Sequence, residues 1–207
     1  MNILLTGGIG YIGSHTVIEL LKDDNNSVVV IDNLINSKKE VKDIVEKITG
    51  KSIKFYEGDL VNFEDIDKVF KNEKIDAVIH FASLKAVGES VEKPLEYYNK
   101  NIIGTLNLLT SMRNHNVKKF IFSSSATVYG DPHTCPILED FPLSVTNPYG
   151  RTKLMIEQML VDISKADKSL DIALLRYFNP VGAHKSGRIG EEPNGVPSNL
   201  MPYITKI

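Results

Sequence analysis

Residues 6–14 read TGGIGYIGS and directly follow a short apolar run, NILLT at 2–6. Gly7, Gly10 and Gly13 are spaced G-x-x-G-x-x-G, which leaves backbone amides open to a pyrophosphate at the positive end of a helix dipole. Asp32 ends the next apolar run, SVVVID, 19 residues after Gly13. A carboxylate there holds a ribose diol and repels a 2′-phosphate. Although glycine clusters also form ordinary turns, this strand–turn–helix context predicts a dinucleotide site that prefers NAD to NADP.

Apolar, β-branched runs alternate with segments of helical periodicity along the rest of the chain. This alternation predicts an α/β fold, a doubly wound parallel sheet of Rossmann type, whose ligands bind beyond the carboxyl ends of the strands. The predicted strands are 2–6, 27–32, 53–58, 76–82, 118–125 and 170–178. The predicted helices run from the glycines to about 22, from a Ser37 cap to Gly50, from an Asn62 cap through 70, from Pro94 to about 115, and from Pro148 to 166.

The composition changes at Asn179, after which glycine, proline and asparagine dominate and no strong strand pattern remains. We therefore predict an NAD-binding Rossmann-type domain over 1–178 and the start of a smaller, truncated substrate-binding region over 179–207. A helical pattern begins near the last residues and stops, so we expect the chain to be the amino-terminal part of a longer protein.

Charge and cysteine content exclude several classes of partner. The net charge of −2, without a block of like charge, argues against nucleic acid, and no apolar run approaches the roughly 20 residues that span a bilayer. Cys135 is the single cysteine, which predicts a reducing, cytoplasmic location. One cysteine and five histidines without i, i+4 pairing predict no metal site.

A second constellation follows the fifth predicted strand. In NPYGRTK at 147–153, Tyr149 and Lys153 are one helical turn apart, and a nearby ammonium lowers the pKa of a phenol from about 10 toward neutrality. The serines that end FIFSSS supply a hydroxyl, Ser125, that can hold a reacting alcohol. An exposed helix surface is the alternative for the Tyr-Lys pair. No G-x-S-x-G elbow surrounds the serines, which disfavours a hydrolase nucleophile.

Two further strand ends fit a bound dinucleotide. Gly58-Asp59-Leu60 follows the third strand, where an adenine edge would lie. Phe81-Ala82-Ser83 follows the fourth, beside the pyrophosphate. Each stretch also reads as an ordinary turn, so the glycine loop decides the interpretation.

The chain resembles the extended short-chain dehydrogenase/reductase superfamily and, within it, the UDP-hexose 4-epimerases. The stretches that carry the resemblance are TGGIGYIGSHT, DNLINS, HFASLKAVGES, KPLEYY, FIFSSSATVYGD, PYGRTK, LLRYFNPVGAH and PSNLMPYI. The resemblance implies an NAD-dependent isomerase that interconverts UDP-glucose and UDP-galactose through a 4-keto intermediate. It also implies a homodimer. The helices near 94–115 and 148–166 are the expected interface, and the alternative is that their apolar stripes only cover the sheet.

The resemblance assigns roles to individual residues. It implies that Tyr149 is the acid/base, that Lys153 is its partner and holds the nicotinamide ribose, and that Ser125 contacts the sugar hydroxyl. The other positions that it implies for NAD are Tyr11, Ile12, Asp32, Asn33, Ser37, Asp59, Leu60, Phe81, Ala82, Lys85, Asn101 and Phe178. For the nucleotide sugar it implies Lys85, Ser125, Tyr149, Asn179 and Asn199.

Some positions depart from the family pattern. Ile9 replaces a small residue, which is expected to tighten the phosphate loop, Ser83 stands where glycine or alanine is commoner, and Lys100 interrupts a frequent Asn-Asn pair. A dehydratase is disfavoured because Ala126-Thr127 supplies no acid/base pair for elimination. Another nucleotide-sugar epimerase, a non-catalytic NAD-sensing module and an NAD-binding fragment without turnover remain as alternatives.

Overall fold

The computed structural model describes residues 1–192 and 200–206. Six strands form one sheet in the order β3-β2-β1-β4-β5-β6, and every neighbouring pair is parallel. The doubly wound α/β fold predicted from the alternation is therefore confirmed. The strands are β1 Asn2–Thr6, β2 Ser27–Asp32, β3 Lys54–Glu57, β4 Ala77–His80, β5 Lys119–Ser125 and β6 Asp171–Tyr177.

Each predicted helix is present, with two additions. The helices are α1 Tyr11–Leu21, α2 Glu40–Thr49, α3 Phe63–Asn72, α4 Val87–Glu92, α5 Pro94–Tyr97, α6 Gly104–Asn114, α7 Pro148–Ala166 and α8 Leu200–Lys206. The predicted helix after Pro94 is α5 and α6 joined by a π-helical turn, Tyr98–Ile103. The short α4 and a 3₁₀ turn, Ala126–Tyr129, were not predicted. No helix in the described part of the chain combines the length and apolarity needed to span a membrane.

The predicted helix caps are confirmed at two positions and wrong at one. The Asn62 side chain accepts a hydrogen bond from the Glu64 amide, and Gly50 ends α2 in the left-handed conformation, at φ 69°. Ser37 does not cap α2, which begins three residues later. Its hydroxyl instead donates to the Asp32 carboxylate, which is a strong, charged acceptor, whereas the helix amides from which a capping oxygen accepts belong to residues that begin only at Glu40.

The sheet is buried on both faces. Leu4 of β1 belongs to one apolar cluster, with residues of α3, α6 and α7, whereas its neighbours Ile3 and Leu5 belong to a second cluster, with residues of α1 and α2. Because adjacent strand residues face opposite sides, this alternation places three helices on one face and two on the other. The strands therefore read as continuous apolar runs.

The strand order places a crevice between β1 and β4. From β1 the chain moves outward to β2 and β3, then returns to β4 on the other side of β1. The connections after β1 and β4 consequently diverge at the carboxyl edge of the sheet. In folds of this kind ligands bind at that point.

Candidate active site

The glycine turn after β1 lies against the backbone that follows β4. Gly7 has φ +68°, and a Cβ there would lie 2.8 Å from the amide nitrogen of Ala82. A Cβ at Gly13 would lie 2.3 Å from the carbonyl oxygen of Gly7. Side chains are thus excluded from the turn by the backbone itself. The three glycines form a cradle whose inner surface is main chain.

The amino end of α1 is open toward this cradle. Gly10 occupies the cap position without a side-chain hydrogen bond, and the first turn contains no acidic residue. The amides of Tyr11 and Ile12 lie in that turn, where helix geometry leaves N–H groups without intrahelical partners. Ile9 is buried in the second apolar cluster, so the expected tightening of the loop by its side chain is wrong. Backbone amides and a positive dipole end fit a pyrophosphate.

Asp32 ends β2 at the same edge and is 8% exposed. One carboxylate oxygen, Oδ1, accepts hydrogen bonds from the Leu34 amide at 3.0 Å and from the Ser37 hydroxyl at 2.7 Å. These two bonds hold the carboxylate in one orientation at the end of the strand. Asp32 is therefore fixed where a ribose diol would be held.

Asp59 follows β3 and is paired with Lys100 of the π-helical turn. Burial acts to raise the pKa of Asp59, but hydrogen bonds from Lys100, from the Val61 amide and from Asn33 outweigh it and hold the pKa below its usual value. The Lys100 ammonium lies 2.6 Å from Oδ2, and the Asn33 amide lies 3.3 Å from the same oxygen. Leu60, next in the chain, is buried. The sequence-predicted residues Asn33, Asp59 and Leu60 are thus brought together.

The Tyr149 and Lys153 side chains occupy one face of α7, as their spacing predicts. Asn147 begins this helix by accepting a hydrogen bond from the Gly150 amide at 2.8 Å. Lys153 is 2% exposed, and its ammonium donates to the Ser83 hydroxyl at 3.0 Å and to the Ser123 carbonyl at 2.8 Å. The same nitrogen lies 5.8 Å from the centroid of the Tyr149 ring. The alternative of an exposed helix surface is excluded for Lys153.

The pKa of Tyr149 differs from the sequence-based expectation. Burial raises it above the usual value of a phenol, and a hydrogen bond with Ser125 only partly opposes this effect. The expectation of a lowered pKa from Lys153 is therefore wrong for the chain by itself. The physical reason is the desolvation of the phenol itself. Burial also acts on its neighbour and lowers the pKa of Lys153 to about 7.

The three serines at the end of β5 divide their roles. Ser123 offers its carbonyl to Lys153, and Ser124 donates its hydroxyl to the Glu157 carboxylate. Ser125 is 8% exposed and interacts with the Tyr149 hydroxyl. Its own oxygen accepts from the Thr127 hydroxyl at 2.9 Å. The end of β5 therefore contacts α7 at three successive serines.

Behind the site lies a charged network that sequence reasoning missed. Glu157, 3% exposed, receives a forked pair of hydrogen bonds from Arg176 of β6, at 3.0 Å from Nε and 2.7 Å from Nη2. Arg176 also donates to the Tyr129 hydroxyl at 2.6 Å. A possible sequence signal was the four-residue spacing of Tyr149, Lys153 and Glu157, which continues one helix face.

Asn101 has a supporting place. It is 1% exposed, and its side-chain amide bonds to both backbone groups of Leu84. The Asn101 Oδ1 accepts from the Leu84 amide at 2.8 Å, and Nδ2 donates to the Leu84 carbonyl at 3.1 Å. A further bond joins it to the Thr152 hydroxyl at 3.0 Å. Asn101 therefore fixes the segment after β4 from behind rather than presenting its side chain to the crevice.

The segment after β6 returns toward the glycine turn. Gly182 accepts a hydrogen bond from the Tyr11 hydroxyl at 2.7 Å, and Lys85 forms an ion pair with Glu191 at 3.3 Å. Phe81 contacts Tyr177 edge-on, with 6.4 Å between ring centroids. Phe178 and Asn179 lie at the exposed start of this segment. The predicted sugar-facing Asn199 lies outside the described residues.

Residues 3–206 match the model of the NAD dependent epimerase/dehydratase family. The chain is 60% identical to a UDP-glucose 4-epimerase of Bacillus subtilis over 207 residues, which is all of this chain and 61% of that protein. Its structure matches the crystal structure of UDP-glucose 4-epimerase from Bifidobacterium longum in complex with NAD+ and UDP, with a TM-score of 0.96 and 55% identity over all of this chain and 62% of that one.

A further match is the UDP-Glc/GlcNAc 4-epimerase of Campylobacter jejuni. There the TM-score is 0.82 and the identity is 43%, over 86% of this chain and 53% of that one. The chain therefore spans about three fifths of the length of the first relatives that it matches.

Proposed function

Since the chain belongs to the NAD dependent epimerase/dehydratase family, we propose that it is the NAD-binding and proton-transfer part of a UDP-glucose 4-epimerase. The reaction is the interconversion of UDP-glucose and UDP-galactose through a 4-keto intermediate. The observation that carries this proposal is the convergence of Tyr149, Lys153 and Ser125 beside the crevice into which the glycine turn opens. The names of the relatives support the choice of substrate.

The residues of this chain that would hold NAD are those at the carboxyl edge of the sheet. The cradle of Gly7, Gly10 and Gly13 suits the pyrophosphate, and Asp32 suits the adenosine ribose. When bound, NAD+ would supply the hydride acceptor and donor that an inversion at C4 of the sugar needs. We expect Asp32 to favour NAD over NADP because its oriented carboxylate would repel a 2′-phosphate.

The transfer of the proton depends on residues of the chain itself. We propose that Tyr149 accepts the proton of the C4 hydroxyl through its phenolic oxygen and returns it after the ketone has turned. Ser125 would hold that hydroxyl in line, since it interacts with the Tyr149 oxygen. Burial by itself raises the pKa of Tyr149, so this step would depend on the cations near the phenol: Lys153, whose nitrogen lies 5.8 Å from the centroid of the ring, and the positive nicotinamide ring of bound NAD+.

The test is Tyr149→Phe in the longest form of the protein that contains this chain. We expect the interconversion of UDP-galactose and UDP-glucose to fall by about 10²-fold or more, because proton transfer by a positioned group contributes that much. Binding of NADH, followed by its fluorescence, should survive. Tyr56→Phe is the matched control, because Tyr56 lies on β3, outside the proton-transfer site. The substitution removes a phenolic hydroxyl that donates to Glu73 at 2.9 Å. An unchanged rate for Tyr149→Phe contradicts the assignment.

Substrate breadth is a separate question. The Campylobacter jejuni relative carries both UDP-Glc and UDP-GlcNAc in its name, so another nucleotide-sugar epimerase of the same family is the second candidate. Product analysis with UDP-galactose and with UDP-N-acetylgalactosamine distinguishes them. Turnover of the first substrate alone supports the proposal as stated, whereas turnover of the second alone overturns it.

We also propose the division of the chain, its assembly and its location. Residues 1–178 would form the NAD-binding domain, and 179–207 would begin the substrate-binding region, so that 1–207 alone would bind NAD yet turn over slowly. Exposed apolar side chains on α5, α6 and α7, such as Leu95, Leu106 and Val161, support a homodimer that forms through these helices. The proposed location is the cytoplasm. A monomer in light scattering would contradict that assembly.

A further inference from the structure

Among the described residues, the contacts of the buried Lys153 ammonium are with neutral groups. It donates to the Ser83 hydroxyl and the Ser123 carbonyl, and lies 4.9 Å from the centroid of the Phe122 ring. Desolvation by burial disfavours the charged form of such a group. A nearby negative charge would oppose that effect.

Glu157 is the group in position to do so. It follows Lys153 by one turn of α7, on the same buried face, and is itself 3% exposed. The two side chains bind consecutive residues of β5, since Lys153 contacts the Ser123 carbonyl and Glu157 contacts the Ser124 hydroxyl. Strand and helix thus hold a positive and a negative charge side by side without a direct ion pair.

Arg176 limits the strength of that negative charge. Its guanidinium binds both oxygens of Glu157 and is anchored from behind by the Tyr129 hydroxyl at 2.6 Å and the Glu139 carbonyl at 3.2 Å. Arg176 is therefore the direct counter-ion of Glu157, with 2.7 Å between Nη2 and Oε2. Glu157 therefore interacts with two cations: Arg176, which stays charged, and Lys153, which can lose its proton.

We propose that Glu157, balanced by Arg176, is a positioning residue that keeps the Lys153 ammonium charged beside Tyr149. The residues with titratable or charged groups that face Lys153 are Tyr149 and Glu157 on α7 and His80 on β4, with Arg176 on β6 behind Glu157. Burial lowers the pKa of His80 to about 3, so it is neutral near pH 7 and does not compete. The direct effect of Glu157 is to raise the pKa of Lys153 against desolvation.

The proposal predicts opposite effects for the two partners. Glu157→Gln removes the negative charge and keeps the shape, so the titration midpoint of Lys153 should fall by about two pH units, as expected for charges about 6 Å apart at an effective dielectric of about 20. Arg176→Gln leaves Glu157 without its counter-ion, so the midpoint should rise. A purely structural role would not move the two midpoints in opposite directions.

The measurement is an NMR titration of the Lys153 Nζ signal in the ¹⁵N-lysine-labelled chain, assigned by its loss in Lys153→Met. Glu46→Gln is the matched control, because Lys42 and Glu46 have the same i, i+4 spacing on α2. It should leave Lys153 unchanged. An unchanged midpoint in Glu157→Gln, or shifts of the same sign in Glu157→Gln and Arg176→Gln, overturns the proposal. Arg176→Gln tests it independently if Glu157→Gln fails to fold.

The inference rests on the proposed function only for its kinetic consequence. In an active epimerase, the pH at which kcat declines on the basic side should fall in Glu157→Gln and rise in Arg176→Gln. The NMR titration needs neither substrate nor turnover. If the longest form of the protein lacked epimerase activity, the proposed function would be contradicted, while the role of Glu157 would still be decided by the Lys153 signal.

Discussion

Burying the charged form of Lys153 near Tyr149 should cost folding stability, and the substitution Lys153→Met tests this. Burial lowers the pKa of Lys153 from 10.5 to about 7. An ammonium with these two values binds fewer protons in the folded chain than in the unfolded chain between them, so the free energy of unfolding rises with pH across that interval. Methionine retains most of the apolar stem and cannot ionise. The variant should lack this rise.

The magnitude follows from the two pKa values. Between about pH 6 and about pH 9, Lys153 alone should add about 3 kcal/mol to the free energy of unfolding of the wild type. Near pH 6 the wild type bears the full cost of burying the charge, about 5 kcal/mol. The variant avoids this cost but loses the hydrogen bonds to Ser83 and Ser123, which contribute about 1 kcal/mol each. Lys153→Met should therefore be the more stable protein near pH 6, with its advantage shrinking toward pH 9.

The assay is urea unfolding of both proteins at several pH values, because groups common to the two cancel in the difference. Lys42→Met is the control: Lys42 is bonded to Glu46, which raises its pKa, so both of its protonation equilibria lie above the range. Its difference from the wild type should be constant. If the Lys153→Met difference is equally constant from about pH 6 to about pH 9, the reasoning about desolvation is refuted.

Three shorter predictions concern other parts of the site. Gly13→Ala places a Cβ 2.3 Å from the Gly7 carbonyl oxygen, so it should lower the Tm and abolish NADH fluorescence enhancement, whereas Gly88→Ala, with open space around it, should preserve both. Burial lowers the pKa of His80 from 6.5 to about 3. The free energy of unfolding of the wild type should therefore fall by up to about 1.4 kcal/mol per pH unit as the pH falls from 6.5 to about 3. In acid unfolding followed by circular dichroism, His80→Gln should lose less stability over the same interval. Asp32→Ala should reduce the ratio of NADH to NADPH affinity in the same fluorescence titration, and an unchanged ratio would contradict the role of its carboxylate.

The architecture was predictable because its signals are local. Continuous apolar strands such as SVVVID indicate burial on both faces, and the glycine turn is set by backbone sterics that only glycine satisfies. The capping role of Asn62 was predictable for the same reason, since a cap needs only residues two or three positions away. Ser37 misled because its true partner, Asp32, precedes the segment that it was expected to begin.

The position of the Tyr-Lys pair followed from spacing, but its electrostatics did not. One helical turn between Tyr149 and Lys153 determines a shared face, and that much belongs to the sequence. The pKa of each group depends on how deeply the surrounding elements bury it, and the pKa of Lys153 depends also on the charge of Glu157. Desolvation and Coulomb energies depend on distances through space between residues far apart in the chain, so only the tertiary structure could decide them.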